Sequence, residues 1–271
     1  AAIAVVGILA WSSTASADVI PTLEDGNSTV YLDGYGTLID NWIIDANSIL
    51  YEQGLFYRIG STGEEFGLNS LEMLDFSLTG TNTFSALWQL EDVFQLSVSG
   101  ELTGGAPGSG TSQLVTNIAI SNISGSLLDF FLFAYSDLDI FDIEGDTATW
   151  ISSSRIDQSD TSGAVIETSF STPFDAFELA QYSDQLLSLQ DSSTTTLSNS
   201  PTSIGPFDST FTVMWNPQIA VDDSFELSIM QIANNIPEGE SEYAVPEPGS
   251  IVLLGLGGLV LLAVRRRKRA I

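Results

Sequence analysis

The chain has 271 residues, among them 35 Asp and Glu against seven Lys and Arg, and it contains neither Cys nor His. These absences exclude disulfide cross-links, thiolate or imidazole metal ligands and Ser-His-Asp catalysis, which leaves carboxylate chemistry and calcium bound by oxygen atoms. Because five of the seven basic residues lie at the C-terminus and only Arg58 and Arg155 remain elsewhere, we expect an anionic body that does not bind nucleic acid.

The N-terminal segment has the order of a secretory signal. Residues 1–10 are apolar, residues 11–17 are mostly small and polar, and Ala15-Ser16-Ala17 forms an A-x-A site before Asp18. This order predicts a signal peptide over residues 1–17, recognised by the secretion translocon, with Ala15 and Ala17 as the cleavage-site residues. A buried strand or helix is the alternative. Since the chain lacks an initiator Met and a basic segment before the apolar run, we expect its start to be truncated.

The body, residues 18–233, is predicted to be all-β, an antiparallel β-sandwich of jelly-roll-like or Ig-like type. Short runs rich in Val, Ile, Thr and Phe alternate with Gly, Ser, Asn and Asp turns, as is typical of such folds. Strands are predicted over 71–79, 84–90, 93–102, 114–120, 127–135, 147–151, 164–170, 209–215 and 224–231. The strand over 127–135 is apolar on both faces, which indicates burial between two layers.

One stretch of the body has helical spacing. Apolar residues recur at near-helical intervals after Pro173, at Phe174, Phe177, Leu179, Tyr182, Leu186 and Leu189. This spacing predicts a short helix or helical loop over 174–189 that packs across one end of the sheets. Residues 191–206 are rich in Ser, Thr and Asn, and we expect them to form a mobile loop.

A run of carboxylates follows the strand over 127–135. Five acidic residues lie within ten positions and could supply hard oxygen ligands to Ca²⁺: Asp137, Asp139, Asp142, Glu144 and Asp146. Their spacing is not that of an EF-hand, and apolar residues are interleaved with them. A strand edge with solvated charges is therefore the alternative to a calcium site. No other cofactor is expected.

Two other features bear on ligand binding. Arg58 is almost the only cation among many anions, so we expect a carboxylate partner, with recognition of an anionic ligand as the alternative. Four tryptophans could stack on sugars but are more typical of a core: Trp42, Trp88, Trp150 and Trp215. A glycosidase would need only two acids and such platforms. No motif marks an acid pair, so a non-enzymatic protein is predicted.

The C-terminal tail has three parts after an acidic linker over residues 234–245. Val245, Pro246, Glu247 and Pro248 form an extended, protease-accessible motif, because each proline disfavours helix at the residue before it. An uncharged stretch then predicts one transmembrane helix, with apolar residues Ile251, Leu253, Leu254, Leu256, Leu259, Leu261, Leu262 and Val264. The basic cluster that sets its topology is Arg265, Arg266, Arg267, Lys268 and Arg269. The stretch is short for a span, which favours a temporary anchor over a permanent one.

This tail, over residues 246–269, resembles the PEP-CTERM sorting domain of exported bacterial proteins. The resemblance implies processing by an exosortase in the inner membrane, followed by delivery to the cell surface or the extracellular matrix. An ordinary C-terminal anchor is the alternative. Residues 56–65, 110–112 and 135–139 are similar to uncharacterised ectodomains that precede such tails, and they carry no assigned activity.

The sequence therefore predicts an exported, non-enzymatic surface or matrix protein that contacts the membrane through its tail and could contact extracellular polysaccharide. A carbohydrate- or calcium-binding module is the first alternative, and a carboxylate-dependent glycosidase is the second.

Overall fold

The computed structural model describes residues 21–33, 36–140 and 145–237. The predicted signal peptide and the C-terminal tail lie outside the described residues, as do Asp142 and Glu144. Within the described ranges, no helix is both long enough and apolar enough to cross a membrane.

The described residues form nineteen strands, one 3-10 helix and one short α-helix. The first nine strands are β1 (Thr22–Asp25), β2 (Ser28–Leu32), β3 (Ile39–Ile44), β4 (Asn47–Leu50), β5 (Glu52–Ile59), β6 (Phe66–Gly67), β7 (Glu72–Leu78), β8 (Thr83–Leu90) and β9 (Phe94–Gly104). The others are β10 (Ser112–Asn122), β11 (Leu128–Asp137), β12 (Thr147–Ser152), β13 (Arg155–Ser159), β14 (Val165–Phe170), β15 (Ala176–Gln181), β16 (Ser203–Ile204), β17 (Ser209–Trp215), β18 (Gln218–Ile219) and β19 (Ser224–Asn234). The 3-10 helix is Leu68–Ser70, and helix α1 is Asp184–Gln190.

The strands build two antiparallel sheets that pack face to face, which confirms the predicted β-sandwich. The first sheet has the order β1-β2-β3-β5-β11-β17-β15, with β4, β6 and β18 attached to β3, β5 and β11. The second sheet has the order β16-β12-β13-β14-β19-β10-β9-β8-β7. Strands β11 and β10 lie near the middle of the two sheets, so the strand over 127–135 that was predicted to be buried between two layers is also central in its sheet.

Alternation of side chains along the strands creates the main core between the sheets. In β10, Leu114, Thr116, Ile118 and Ile120 are buried, while the residues at the alternate positions 115, 117 and 119 are partly or fully exposed. This follows from the two-residue period of a strand, in which successive side chains point to opposite faces. Trp42, Trp88 and Trp215 are among the largest fully buried side chains, so the core interpretation of these three residues is confirmed.

A second, smaller core covers the outer face of the first sheet. Phe131, Phe133 and Tyr135 point away from the main core and pack with Leu186 and Leu189 of α1. Leu132 and Ala134 of the same strand point into the main core. Strand β11 is therefore buried on both faces between two layers, as its sequence predicts.

The predicted helix over 174–189 is wrong in its first half. Residues 176–181 form β15, which pairs with β17 from Ala176 opposite Met214 to Gln181 opposite Ser209. Only residues 184–190 form a helix. The backbone hydrogen bonds offered by the edge of β17 outweigh the local helical spacing, because tertiary pairing overrides a weak periodic signal.

The strands predicted from composition are all present, within a few residues at each end. The sequence predicted none of the six strands before residue 70, β1 to β6, nor did it predict β13, β15, β16 and β18. Several of these are only two to five residues long, as in β1, β2, β4 and β6. Such short runs give too few alternations for their period to stand out.

Residues 191–206, expected to be a mobile loop, are tied to the sheet at several points. Thr195 donates hydrogen bonds from N and Oγ1 to the buried carboxylate of Glu65, at 3.1 Å to Oε1 and 2.7 Å to Oε2. Asn199 donates from its backbone N to Phe177 O at 2.9 Å. These bonds fix the segment over the outer face of the first sheet.

Candidate functional site

Three aspartates meet at one end of the first sheet. Asp137 is the last residue of β11, Asp139 follows it, and Asp208 immediately precedes β17. One carboxylate oxygen from each lies within 4.8 Å of the others. We call Asp137, Asp139 and Asp208 the acidic cluster.

The pairing of β11 with β17 brings these residues together. Asp137 lies opposite Thr210, so the chain just before β17 returns beside the end of β11. Tyr182 donates from its backbone N to Asp208 O at 3.0 Å, and Tyr51 donates from its backbone N to Asp137 O at 2.9 Å. The backbone that carries the acidic cluster is therefore held on both sides.

Glu52 adds a fourth carboxyl group beside the cluster. It lies directly opposite Asp137 in the pairing of β5 with β11. Directly opposite residues of an antiparallel pair place their side chains on the same face with Cβ atoms about 5 Å apart. The Glu52 side chain therefore shares the outer face of the first sheet with Asp137.

The pKa values of these carboxyl groups are all raised. Burial, followed by repulsion from Asp139 and Asp208, raises the pKa of Asp137 to about 8. Burial and the charge of Asp208 raise the pKa of Asp139 to about 6. Burial also raises the pKa values of Asp208 and Glu52. Without a compensating positive charge, the cluster holds protons at a pH where isolated carboxyl groups are ionised.

No basic residue among those described neutralises the cluster. Arg58 pairs with Glu65, while Arg155 pairs with Asp157 at 2.6 Å and Glu167 at 3.0 Å. Since these are the only basic residues before the tail, the cluster carries uncompensated negative charge whenever it is ionised.

Asp137 is the most buried member of the cluster. It is 2% exposed, and its Oδ1 has no hydrogen-bond partner among the described residues. Oδ1 of Asp208 is also buried without a partner in the described part of the chain. Buried polar atoms are nearly always paired, so these two oxygens have unused capacity to accept a hydrogen bond or to contact a ligand.

Asp146, one of the five predicted calcium ligands, has a different role. Its Oδ2 accepts hydrogen bonds from Ile140 N at 3.0 Å and Gln158 Nε2 at 3.3 Å. Gln158 also donates to Leu138 O at 2.5 Å and Ser209 O at 2.9 Å. Burial raises the pKa of Asp146 to about 7. This residue supports the segments that carry the cluster, whereas Asp137 and Asp139 belong to it.

Two tyrosines stand at the rim of the cluster. Tyr51 is 54% exposed and Tyr182 is 39% exposed. Their rings meet edge to face with centroids 6.2 Å apart. The backbone N of each tyrosine donates to the backbone O of a cluster residue. The aromatic rings are therefore held close to the carboxyl groups.

Sequence reasoning missed Asp208, Glu52, Tyr51 and Tyr182. Asp208 is isolated in the sequence, and its distance of about 70 positions from Asp137 hides their proximity. The only signal is its place directly before the predicted strand over 209–215. That signal requires knowing that this strand pairs with β11.

A separate groove crosses the outer face of the second sheet. It encloses about 550 Å³ and is lined by small polar side chains together with one carboxylate, including Ser97, Ser99, Asn117, Glu226 and Ser228. Asn117 and Ser228 bond each other at 2.7 Å across β10 and β19. Because Glu226 is its only acidic lining residue, this groove lacks the paired carboxyl groups found at the acidic cluster.

The four tryptophans in the described part of the chain do not form a sugar platform at the cluster. Trp150, which is only partly buried, stacks on Phe177 with ring centroids 5.6 Å apart, and it packs against the main core. With Trp42, Trp88 and Trp215 buried, the exposed aromatic surface near the carboxyl groups comes from the tyrosines.

Residues 244–268 match the family model described as the PEP-CTERM protein-sorting motif, which confirms the predicted sorting motif. The motif implies an exported protein that is sorted to the cell surface and processed by an exosortase-type enzyme. A search of curated protein sequences found no match to the chain.

Solved structures share the fold of the body. A protein of Escherichia coli K12, described provisionally as an aldose 1-epimerase, has a TM-score of 0.55 and 10% identity over 80% of this chain and 99% of that one. A galactose mutarotase-like protein of Lactobacillus casei has a TM-score of 0.52 and 8% identity over 79% and 99% of the two chains. A bacterial glucoamylase complexed with acarbose has a TM-score of 0.54 and 9% identity over 81% of this chain and 31% of its own.

These likenesses contradict the prediction that the protein is non-enzymatic, while the match to the sorting motif supports the prediction of export to the cell surface. The prediction relied on the absence of His, Cys and a recognisable acid pair. An acid pair contributed by separate strands leaves no contiguous motif, and the acidic cluster is assembled in this way. At these identities the comparisons establish one point: the body has a fold shared with proteins described as aldose epimerases and mutarotases.

Proposed function

We propose that this exported protein acts on a carbohydrate at the acidic cluster, Glu52 and the two rim tyrosines. The observation that carries the proposal is the meeting of several carboxyl groups, one of them deeply buried and unpaired, beside exposed aromatic rings. The shared fold with proteins described as aldose epimerases supports a saccharide as the substrate.

Each part of this site suits a sugar. Carboxylate oxygens accept hydrogen bonds from sugar hydroxyl groups, and tyrosine rings offer an apolar surface to the C–H face of a sugar ring. Because the site lacks a cation of its own among the described residues, we expect a neutral saccharide to bind better than an acidic one.

The reaction that the carboxyl groups support is proton exchange at the anomeric centre. One carboxyl group gives a proton to the ring oxygen while another accepts the proton of the anomeric hydroxyl group. The bond between the anomeric carbon and the ring oxygen then breaks, and a carbonyl group forms. Ring closure on the opposite face returns both protons and yields the other anomer.

The test is the exchange of anomers of neutral aldoses, followed by NMR with the purified protein. We expect catalysed exchange that Glu52→Gln and Asp208→Asn each lower by at least about tenfold, within the usual range for a general acid or base. Glu72→Gln and Asp222→Asn are matched controls, since both residues are exposed and lie outside the site. If the wild type gives no exchange, or if the controls lose as much as the site variants, the proposal is wrong. Release of reducing ends from a polysaccharide would identify hydrolysis instead of epimerisation.

For the tail we propose that the segment over 251–264 holds the chain in the inner membrane until cleavage near Pro246 to Pro248 sends the body to the cell surface or matrix. The match to the sorting motif supports this order of events. Replacing Pro246 and Pro248 by alanine should leave a larger, membrane-retained form on immunoblots of fractionated cells. An unchanged distribution would contradict the proposal.

A further inference from the structure

The acidic cluster contains more negative charge than proton exchange requires. Three carboxyl groups have oxygens within 4.8 Å of each other, and Glu52 lies opposite one of them. Neither arginine of the body reaches them, because both are paired elsewhere. Close acidic groups are common on a protein as anionic as this one, so their proximity alone does not identify a ligand.

A second observation separates this cluster from ordinary surface charge. Asp137 is 2% exposed, and its Oδ1 has no hydrogen-bond partner among the described residues. Burying a carboxylate without a partner is costly, and buried charges are normally paired or bound to metals. Oδ1 of Asp208 shows the same lack of a partner. Both oxygens belong to residues of the cluster.

We propose that Asp137, Asp139 and Asp208 bind one divalent cation, and that this cation is Ca²⁺. Calcium takes six to eight oxygen ligands at about 2.3–2.6 Å, so one ion can contact oxygens that lie up to about 4.8 Å apart. Zinc is disfavoured because the chain offers neither Cys nor His.

The burial of the three residues defines the open side of the site. Asp137 is buried, whereas Asp139 and Asp208 are partly exposed. The cation would therefore keep coordination positions toward solvent, on the side where water or a hydroxyl group can approach. This set replaces Asp146 of the sequence prediction with Asp208, because Asp146 is bonded to Ile140 and Gln158.

The inference concerns the site of the proposed function but is tested independently of it. If a saccharide binds there, the cation would lie beside its hydroxyl groups. Glu52 is not one of the three proposed ligands and would remain able to exchange a proton, whereas Asp208 would be withdrawn from proton exchange while the cation is bound. Cation binding is measured directly, so its outcome is separate from that of the anomer assay.

The experiment is calorimetric titration of CaCl₂ and MgCl₂ into the chelator-treated protein at neutral pH and about 0.15 M salt, which screens the general surface charge. We expect one site that prefers Ca²⁺, with affinity lowered at least about tenfold in Asp208→Asn, as is typical when metal sites are disturbed. Asp222→Asn, an exposed change at a matching residue type, should bind as the wild type does.

Thermal unfolding keeps the test decisive if a variant is unstable. Calcium should raise the Tm of the wild type and of Asp222→Asn, and it should have a smaller effect on Asp208→Asn and Asp137→Asn. The proposal is overturned if millimolar Ca²⁺ gives neither heat nor a Tm shift with the wild type. Equal responses in Asp208→Asn and Asp222→Asn would overturn it as well, since they would show only diffuse binding to an acidic surface.

Discussion

Buried charge is paired at one end of the strand pair β5 and β11 and unpaired at the other end. At one end Arg58 lies opposite Phe131, and at the other Glu52 lies opposite Asp137. The distance between them along β5 is six residues, or about 20 Å. Both ends lie on the outer face of the first sheet, so the contrast arises within one surface.

At the Arg58 end the buried guanidinium group has an ion-pair partner, hydrogen-bond acceptors and an aromatic contact. Arg58 forms an ion pair with the buried Glu65 and donates to Thr195 O at 3.2 Å and Gly60 O at 3.2 Å. Its guanidinium also lies 4.3 Å from the centre of the Phe131 ring. At the Asp137 end, by contrast, carboxyl groups face each other, and neither described arginine pairs with them. Buried charge is therefore paired at the Arg58 end, which has only a structural role. It is unpaired at the Asp137 end, where we propose that a ligand binds.

The largest expected effect comes from breaking the paired end. Glu65→Ala leaves Arg58 buried without its carboxylate and should lower the free energy of unfolding by about 3–5 kcal/mol. Glu64→Ala is the matched control, since its side chain is exposed, and it should cost less than about 0.5 kcal/mol. Urea denaturation measures both. Similar losses in the two variants would show that the ion pair adds no stability.

Removing a buried carboxylate at the unpaired end should raise the free energy of unfolding, whereas removing one at the paired end lowers it. In chelator-treated protein above pH 8, Asp137→Asn removes a buried, repelled charge and should raise the free energy of unfolding by about 1–3 kcal/mol. With calcium present the substitution should destabilise the protein, because a ligand is lost. A destabilised variant under both conditions would remove the contrast between the two ends.

The pH dependence of stability should also reveal the unpaired end. The pKa of Asp137 is raised to about 8 in the folded state, where Asp139, Asp208, Glu52 and Asp146 face it, against about 4 when unfolded. The folded protein therefore binds more protons than the unfolded chain between these values. The protonated Asp137 therefore contributes fully to stability below about pH 4, and this contribution is lost as the pH rises to about 8.

Urea denaturation of chelator-treated protein from pH 5 to pH 9 measures this loss. Comparison with Asp137→Asn separates the loss of stability caused by Asp137 from the loss caused by repulsion among the other carboxylates. The slope should be smaller in the variant, and an equal slope would show that Asp137 is ionised in the folded protein throughout this range.

The smallest expected effect concerns the two exposed tyrosines at the rim of the acidic cluster. Tyr182→Ala removes an exposed ring and should weaken binding of a neutral saccharide by about 1 kcal/mol, or roughly fivefold, with little change in stability. Leu187→Ala is a control, because that exposed apolar side chain lies on α1. Calorimetry with a panel of neutral sugars makes the comparison. Equal affinities in the two variants would show that the ring does not contact the sugar.

Sequence patterns predicted the parts of this molecule that depend on local periodicity. The strand over 209–215 has the predicted bounds, and β11 is buried on both faces as its apolar pattern indicates. The carboxylate partner expected for Arg58 is present as Glu65. In each case the information lies within a few neighbouring residues or in the scarcity of one charge type.

The acidic cluster could be predicted only in part, because its geometry depends on strand pairing. Asp137 and Asp139 follow a recognisable strand, but Asp208 and Glu52 reach them through the register of β17 and β5. A sequence window around Asp137 instead includes Asp146, which the fold uses to bind Ile140 and Gln158. The wrong helix over 176–181 has the same origin, since β15 exists through its pairing with β17.

The bonds between Glu65 and Thr195 join residues 130 positions apart. They close a long loop of chain, as a disulfide does in many exported proteins, but the chain contains no Cys. A closure made of hydrogen bonds does not depend on the redox state of its surroundings and can re-form after it opens. The body can therefore keep its outer layer in place outside the cell without an oxidative folding pathway.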